Sequence, residues 1–153
     1  MISVIATVKN EGDNLHHLLD SLTNQTRPPD EIIIVDGGST DNTLDVLHRY
    51  AAKLPLRVLC CPGCNISEGR NRAIEAAHGD IIAATDAGLY LALQWVEALE
   101  KPLLDDPQLQ VVGGFFEANA HSTFELAMGA AVSRLPDEID AETFLPGSHS
   151  IAF

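Results

Sequence analysis

Seven residues near the start of the chain, Ile2 to Val8, are nearly all apolar and rich in β-branched side chains, and the polar run Lys9-Asn10-Glu11-Gly12 closes them. That pattern predicts a buried strand and a turn. The period then changes. Leu15, Leu18, Leu19 and Leu22 follow the 3.6-residue repeat of a helix, with Asp13 or Asn14 placed to cap it and Arg27-Pro28-Pro29-Asp30 to stop it. Glu31 to Val35 is a second strand, apolar at nearly every position, as expected when both faces are covered. A helix carrying Leu44, Leu47 and Ala51 follows, then a strand from Leu56 to Cys60. Ser67 and Glu68 open a third helix that buries Ala73, Ile74 and Ala77 and ends at Gly79. Asp80 to Thr85 is the fourth strand. Trp95, Val96, Leu99 and Leu103 mark a helix bent or ended near Pro102, and Leu109 to Val112 a fifth strand. Further on, Thr123 to Arg134 reads as helical and Phe144 to Phe153 as extended.

Regular alternation of strand and helix predicts an α/β fold, a Rossmann-like, mostly parallel sheet with helices on both faces. In such sheets ligands bind beyond the carboxyl ends of the strands, where the strand order reverses. The polar residues that follow each strand therefore become the candidates. They are Thr7, Asn10 and Glu11, then Asp36 to Ser39, then Asp86, distant in sequence and brought by this fold to one edge.

The chain of 153 residues suits one domain. Its 46% hydrophobic content, with 11 Gly and 8 Pro dispersed, excludes collagen-like and disordered classes. No run approaches the ~20 apolar residues of a spanning helix, and the N-terminus lacks the layout of a signal peptide. The expected location is cytoplasmic, or peripheral at the inner membrane face. The net charge is −13, from 22 acidic and 9 basic side chains, a field that opposes nucleic-acid binding. It still permits a small phosphate ligand where cations are concentrated. Seven of the nine Lys and Arg lie between Lys9 and Arg72, so an anion site is expected in the first half.

Cys60, Cys61 and Cys64 form a cluster in which Cys61 and Cys64 have C-x-x-C spacing. A structural zinc site needs four ligands, and no second pair exists. With the cluster read as following a strand and preceding a loop, buried spectator thiols are the expectation, ahead of redox sensitivity or metal. His16 and His17 are expected at the surface.

Asp36 ends an apolar run, where a carboxylate can accept hydrogen bonds from a nucleobase N–H or a ribose hydroxyl, or else cap the next helix. Gly37 and Gly38 allow close backbone approach, and Ser39 or Thr40 is placed to cap. Neither G-x-G-x-x-G after the first strand nor a phosphate-binding G-x-x-x-x-G-K-[ST] occurs. Arg70 and Arg72 flank Asn71 on a helix, where neighbours point about 100° apart, so at most one arginine can face a diphosphate well, the other reading being that both are solvated. Asp86, before the small residues Ala87 and Gly88, can hold a divalent cation or cap a turn.

Three segments, Ile2 to Glu11, Ile34 to Thr43, and Gly69 to Ile74 with His78 to Asp86, resemble family 2 glycosyltransferases of the GT-A fold in order and spacing. The resemblance is good over about residues 1 to 115 and weaker afterwards. It implies transfer of a sugar from a nucleoside diphosphate donor, UDP- or GDP-linked, commonly with Mg²⁺ or Mn²⁺. By position it implies a donor site of Thr7, Lys9, Asn10, Glu11, Asp36, Gly38, Ser39, Arg70, Asn71, Asp86, Ala87 and Gly88. Within it Thr7 and Glu11 lie by the nucleoside, Asp36 by base or ribose, Arg70 and Asn71 near the diphosphate, and Asp86 is the metal ligand. Residues 1–115 would be the donor half and 116–153 the start of the acceptor half.

The chain departs from that family pattern in three places. Asp86-Ala87-Gly88 lacks the second carboxylate of a D-x-D motif, and Gly37 replaces one possible base contact. The family's catalytic base comes from the acceptor half, which places it beyond Phe153 and makes the chain look like a family member truncated at the C-terminus. Glu117, Asp137, Glu138 and Asp140 are acidic, but no motif marks one of them as a base. The acceptor, whether sugar, lipid or protein, is not specified. The single carboxylate and early stop favour an alternative, a non-catalytic nucleotide-sugar-binding module or an inactive fragment. A receiver-like signalling domain fits poorly, because no Lys follows the fifth strand.

Overall fold

A computed structural model describes residues 1–132, 139–140, 147 and 149–153. The strands are β1 (Ile2–Val8), β2 (Glu31–Asp36), β3 (Leu56–Cys60), β4 (Ile81–Thr85), β5 (Val112–Gly113) and β6 (Ser150–Ala152). They form one sheet in the order β3-β2-β1-β4-β6-β5. β1 pairs in parallel with both β2 and β4, and β2 with β3, while β6 runs antiparallel to β4 and to β5. The chain steps outward from β1 to β3 and then returns to the other side of β1 with β4. That reversal leaves a crevice between the carboxyl ends of β1 and β4.

Alternation along the strands divides the core between the two faces. Ile2, Val4, Ala6 and Val8 of β1 pack with Ile32 and Ile34 of β2 under α1 (Leu15–Thr23), α2 (Thr43–Ala51) and α4 (Trp95–Asp105). On the other face Ile5, Ile33, Val35 and Ala84 meet Ala73 of α3 (Ile66–Ala76). Leu15, Leu18, Leu19 and Leu22 are all buried, which fits the stripe read from the sequence. Each such side chain contributes about 1.5–3 kcal/mol of burial.

The amino edge of the sheet is held by charge. Glu31 accepts from the Ser3 hydroxyl at 2.7 Å and from the His78 amide at 2.9 Å, with the His78 ring at 2.8 Å. Burial works to raise its carboxyl, but these hydrogen bonds outweigh it and hold Glu31 at about 2. Arg27 reaches Asp30 at 2.8 Å and the buried Glu100 at 2.9 Å. The Arg27 hydrogen bonds and the Ile2 amide hold Asp30 at about 2.

Several boundaries differ from the pattern reading. A 3-10 turn at Gly12–Asn14 precedes α1, and neither Asp13 nor Asn14 caps it; Asp13 instead accepts from the Asn42 side chain at 2.9 Å. The third helix begins at Ile66 and ends at Ala76, earlier than predicted at both ends. α4 passes through Pro102 to Asp105. β5 is confined to Val112–Gly113 because the Leu109 amide turns back to Asp106 and Leu109 and Val111 face solvent. α5 spans Thr123–Val132; the predicted end at Arg134 lies outside the described residues, as do residues 144–146 and 148 of the predicted extended segment. No helix among the described residues is long and apolar enough to cross a membrane.

Candidate functional site

The crevice at the strand reversal opens into a cavity of about 790 Å³. Its floor is Thr7, Val8 and Lys9 at the end of β1, with Val35 and Gly37 from β2. One wall is Asp86, Ala87 and Gly88 after β4, and the opposite wall is Cys64 to Ser67 and Gly69 at the start of α3. Glu11 closes the rim.

Local chemistry fixes each wall. Asn65 caps α3 by accepting from the Glu68 amide at 2.9 Å, while the Glu68 carboxylate accepts from the Asn65 amide at 2.9 Å. Gly69 lets the helix lie directly on β1, since a Cβ there would stand 2.7 Å from Thr7 Cγ2. Between β1 and α2 the loops are tied together. The Asn10 amide donates to Ser39 Oγ at 2.9 Å, the Thr40 amide donates to Asn10 Oδ1 at 2.8 Å, and the Glu11 and Gly12 amides both donate to Thr43 Oγ1 at 2.9 Å. Asn10 takes a left-handed backbone (φ 55°) to make these contacts.

Asp36 does not face the cavity. Its side chain is buried, and it accepts from the Gly38 amide at 3.1 Å, the Ser39 amide at 3.0 Å and the Ser39 hydroxyl. Its carboxylate is thus spent on organising its own turn, which corrects the expectation of a base or ribose contact. Ser39 and Thr40 serve that turn and Asn10, and Asp41 instead accepts from the Thr43 amide at 3.0 Å at the start of α2. Gly38, at φ +95°, turns away beneath Pro62 and does not line the cavity.

Asp86 faces the cavity, as does Glu11 at its rim. Arg70 Nη2 donates to Asp86 Oδ1 at 2.5 Å, with the aspartate side chain 43% exposed and the arginine 20%. The buried Arg70 Nε has no partner among the described residues. Asn71 and Arg72 are exposed and off the cavity. The two arginines diverge as helical geometry requires. No group of three or more His, Cys, Asp or Glu that could hold an ion occurs among the described residues. Asp86 alone fits a divalent cation whose other ligands are phosphate oxygens and water, and does not fit a freestanding metal site.

Thr7, Lys9, Glu11, Asp86, Ala87 and Gly88 are thus brought together, whereas Asn10, Asp36, Gly38, Ser39, Arg70 and Asn71 stand behind or beside the cavity. The wall from Cys64 to Ser67 escaped the sequence reading. Its signal was available, because Asn65 and Glu68 have capping-box spacing and place the helix start at Ile66, one residue before Ser67. The same earlier start puts Cys64 at a helix N-terminus. Cys61 and Cys64 are joined as a disulfide, with Cα atoms 5.6 Å apart, and only Cys60 is free, which corrects the expectation of three spectator thiols. His16 is also less superficial than expected, with Nδ1 2.9 Å from the Tyr50 hydroxyl.

A second cavity of about 690 Å³ adjoins the first at Gly88 and is lined by Tyr90, Trp95, Phe115, Phe116 and His149. Glu117 is on its rim. Asp137 and Glu138 lie outside the described residues.

A mostly parallel sheet with a crevice at its strand reversal is a Rossmann-like α/β fold, in which ligands bind at that reversal. Residues 3–142 match Glycosyl transferase family 2, and the chain belongs to that family. It is 37% identical over 106 residues to the uncharacterized glycosyltransferase YibD of Escherichia coli (strain K12), covering 69% of this chain and 31% of that protein. Residues 1–349 of S. aureus TarS in complex with UDP-GlcNAc superpose with a TM-score of 0.70 at 26% identity, over 80% of this chain and 36% of that one. The mannosyltransferase PcManGT from Pyrobaculum calidifontis, in complex with GDP-Man and Mn²⁺, superposes with a TM-score of 0.75 at 24% identity, over 99% of this chain and 44% of that one. The fold is of the GT-A type. The chain spans about a third of the length of the curated relative YibD.

Proposed function

We propose that this chain supplies the donor site of a glycosyltransferase that takes a sugar from a UDP- or GDP-linked donor. The observation that carries the reading is the Asp86–Arg70 pair on the edge of a cavity at the strand reversal. A nucleoside diphosphate presents two charged phosphates that need an arginine and, through a cation, a carboxylate; both are here, side by side. TarS binding UDP-GlcNAc supports the nucleotide class.

In this reading Arg70 and Lys9 offset the charge of the diphosphate, and Gly37 and Gly88 leave room for close approach. Thr7 and Glu11 face the nucleoside. Asp86 would hold Mg²⁺ or Mn²⁺ together with phosphate oxygens, and the bound ion would stabilise the departing diphosphate. Asp36 acts indirectly, by shaping the turn that carries Gly37. Residues 1–115 form the donor half, and the aromatic second cavity next to Gly88 supports placing the acceptor, a sugar, lipid or protein group, on the side where residues 116–153 begin. A cytoplasmic or inner-face peripheral location accords with a nucleotide-linked donor. The single carboxylate favours a second reading, a module that binds the donor without transferring it, and release of free nucleotide from the donor sugar separates the two.

The test is a thermal-shift screen of UDP, GDP, ADP and CDP with and without Mn²⁺. A nucleotide at ~100 times its Kd adds about 2.7 kcal/mol to stability, which raises Tm by roughly 5 °C or more. UDP or GDP is expected to do so with Mn²⁺. No shift with any of the four would overturn the reading.

A further inference from the structure

We infer that Cys61 and Cys64 are a reversible thiol–disulfide site whose oxidation state tunes the donor cavity, an inference that rests on the donor-site reading above. Three observations converge. The pair is within bonding reach, its Cα atoms 5.6 Å apart. Cys64 is itself part of the cavity wall, next to Asn65, Ile66 and Ser67. The loop that carries the pair is bonded to the opposite turn, with the Cys61 amide donating to the Asp36 carbonyl at 2.7 Å and the Gly63 amide to the Gly37 carbonyl at 3.1 Å. The contact is close: a Cβ on Gly38 would lie 3.1 Å from Pro62 Cα.

The two cysteines have different surroundings. Cys61 is buried, while Cys64 is half-buried and stands one residue before the cap of α3. A helix N-terminus favours the thiolate, and the thiolate is the attacking species. A low-molecular-weight disulfide such as glutathione disulfide supplies the oxidant. Cys64 attacks one of its sulfurs, releasing one glutathione thiol and leaving a mixed disulfide. Cys61 then displaces the second glutathione thiol as the Cys61–Cys64 bond forms. The protein loses two electrons and two protons, and the glutathione disulfide ends as two thiols. Closed, the bridge fixes the loop that forms one wall and braces the turn bearing Gly37. Reduced, that wall must be ordered again each time a nucleotide binds, which lowers affinity.

The experiment compares the chain equilibrated with glutathione disulfide and the chain reduced with dithiothreitol. Alkylation and mass spectrometry should find the Cys61–Cys64 bridge in the first state, with Cys60 alkylated or carrying glutathione, and three alkylated thiols in the second. UDP and GDP, titrated with Mn²⁺ as probes, should bind about three- to tenfold more weakly to the reduced chain. Cys60→Ser should keep that difference, and Cys61→Ser/Cys64→Ser should abolish it and stay at the reduced level. Three reactive thiols after oxidation, or equal affinities in the two states, would overturn the inference. Failure of both nucleotides to bind in either state would count against the donor site instead. Amide exchange of residues 36–39 then decides the coupling: faster exchange on reduction supports it and unchanged exchange overturns it.

Discussion

Arg70 and Asp86 close on each other at 2.5 Å at the edge of the cavity, the cation from α3 and the anion from the residue after β4. The two groups that a metal-bound diphosphate would engage thus neutralise one another in its absence. On the proposed reading, a diphosphate would offer Arg70 a better-charged partner and free Asp86 for a cation. In the proposed donor site, ligand and ion would be coupled through this one ion pair.

Arg70→Ala should lower nucleoside diphosphate affinity. Loss of a charged hydrogen bond costs about 1.5–3 kcal/mol, or roughly ten- to hundredfold in Kd. Stability should change little, since a partly exposed pair contributes weakly. Calorimetric titration with UDP and GDP checks the first outcome and urea unfolding the second. Unchanged affinity would leave Arg70 as a clasp on Asp86 alone.

Asp36→Ala should act on the fold before it acts on binding. Its carboxylate accepts from two amides and a hydroxyl in the turn Asp36–Ser39, and removing it leaves those donors without their acceptor. The expected loss is roughly 1.5–3 kcal/mol of unfolding free energy. A variant as stable as the parent would show that the turn does not depend on this side chain.

Gly69→Ala should push α3 away from β1, because the new methyl would meet Thr7 Cγ2 at 2.7 Å. Overpacking of this kind costs about 1–3 kcal/mol. The strand end and the helix start are both walls of the cavity, so nucleotide binding should weaken with stability. Binding that survives intact would show that the wall can yield without loss.

Acid should weaken the amino edge of the sheet in a defined window. Glu31 is held at about 2 against an ordinary 4.5, so its stabilisation is complete above 4.5 and fades as pH falls toward 2. Asp30, at about 2 against 3.8, follows the same sign. The stability gap between the chain and Glu31→Gln should be about 1–3 kcal/mol at neutral pH and shrink through that window. Parallel pH profiles for the two proteins would contradict the assignment.

The first four strands and their helices were legible because each buries a continuous or periodic apolar pattern in a local segment. β6 was harder to place, since three residues carry little periodicity and their partner β4 lies some seventy positions earlier. Pro102 misled because a proline inside a helix, here the eighth of the eleven residues of α4, can forfeit one hydrogen bond without ending it. At the site, position after a strand located Thr7, Glu11 and Asp86, but not the direction in which a side chain points. Asp36 and Asp86 both read as following a strand, but Asp36 is the last residue of β2, and Ser39 and Gly38 capture its carboxylate. The Cys64–Ser67 wall was missed because the helix start was placed too late.

The central claim is that the cavity between β1 and β4 binds a nucleoside diphosphate through Asp86 and a divalent cation. Calorimetric titration of UDP and GDP with Mn²⁺, and again with chelator, on the chain and on Asp86→Asn tests it directly. Saturable binding of at least one nucleotide is predicted, about tenfold weaker with chelator, with that metal enhancement absent in Asp86→Asn. Failure of both nucleotides to bind in the presence of Mn²⁺, or an enhancement that survives in Asp86→Asn, would contradict it.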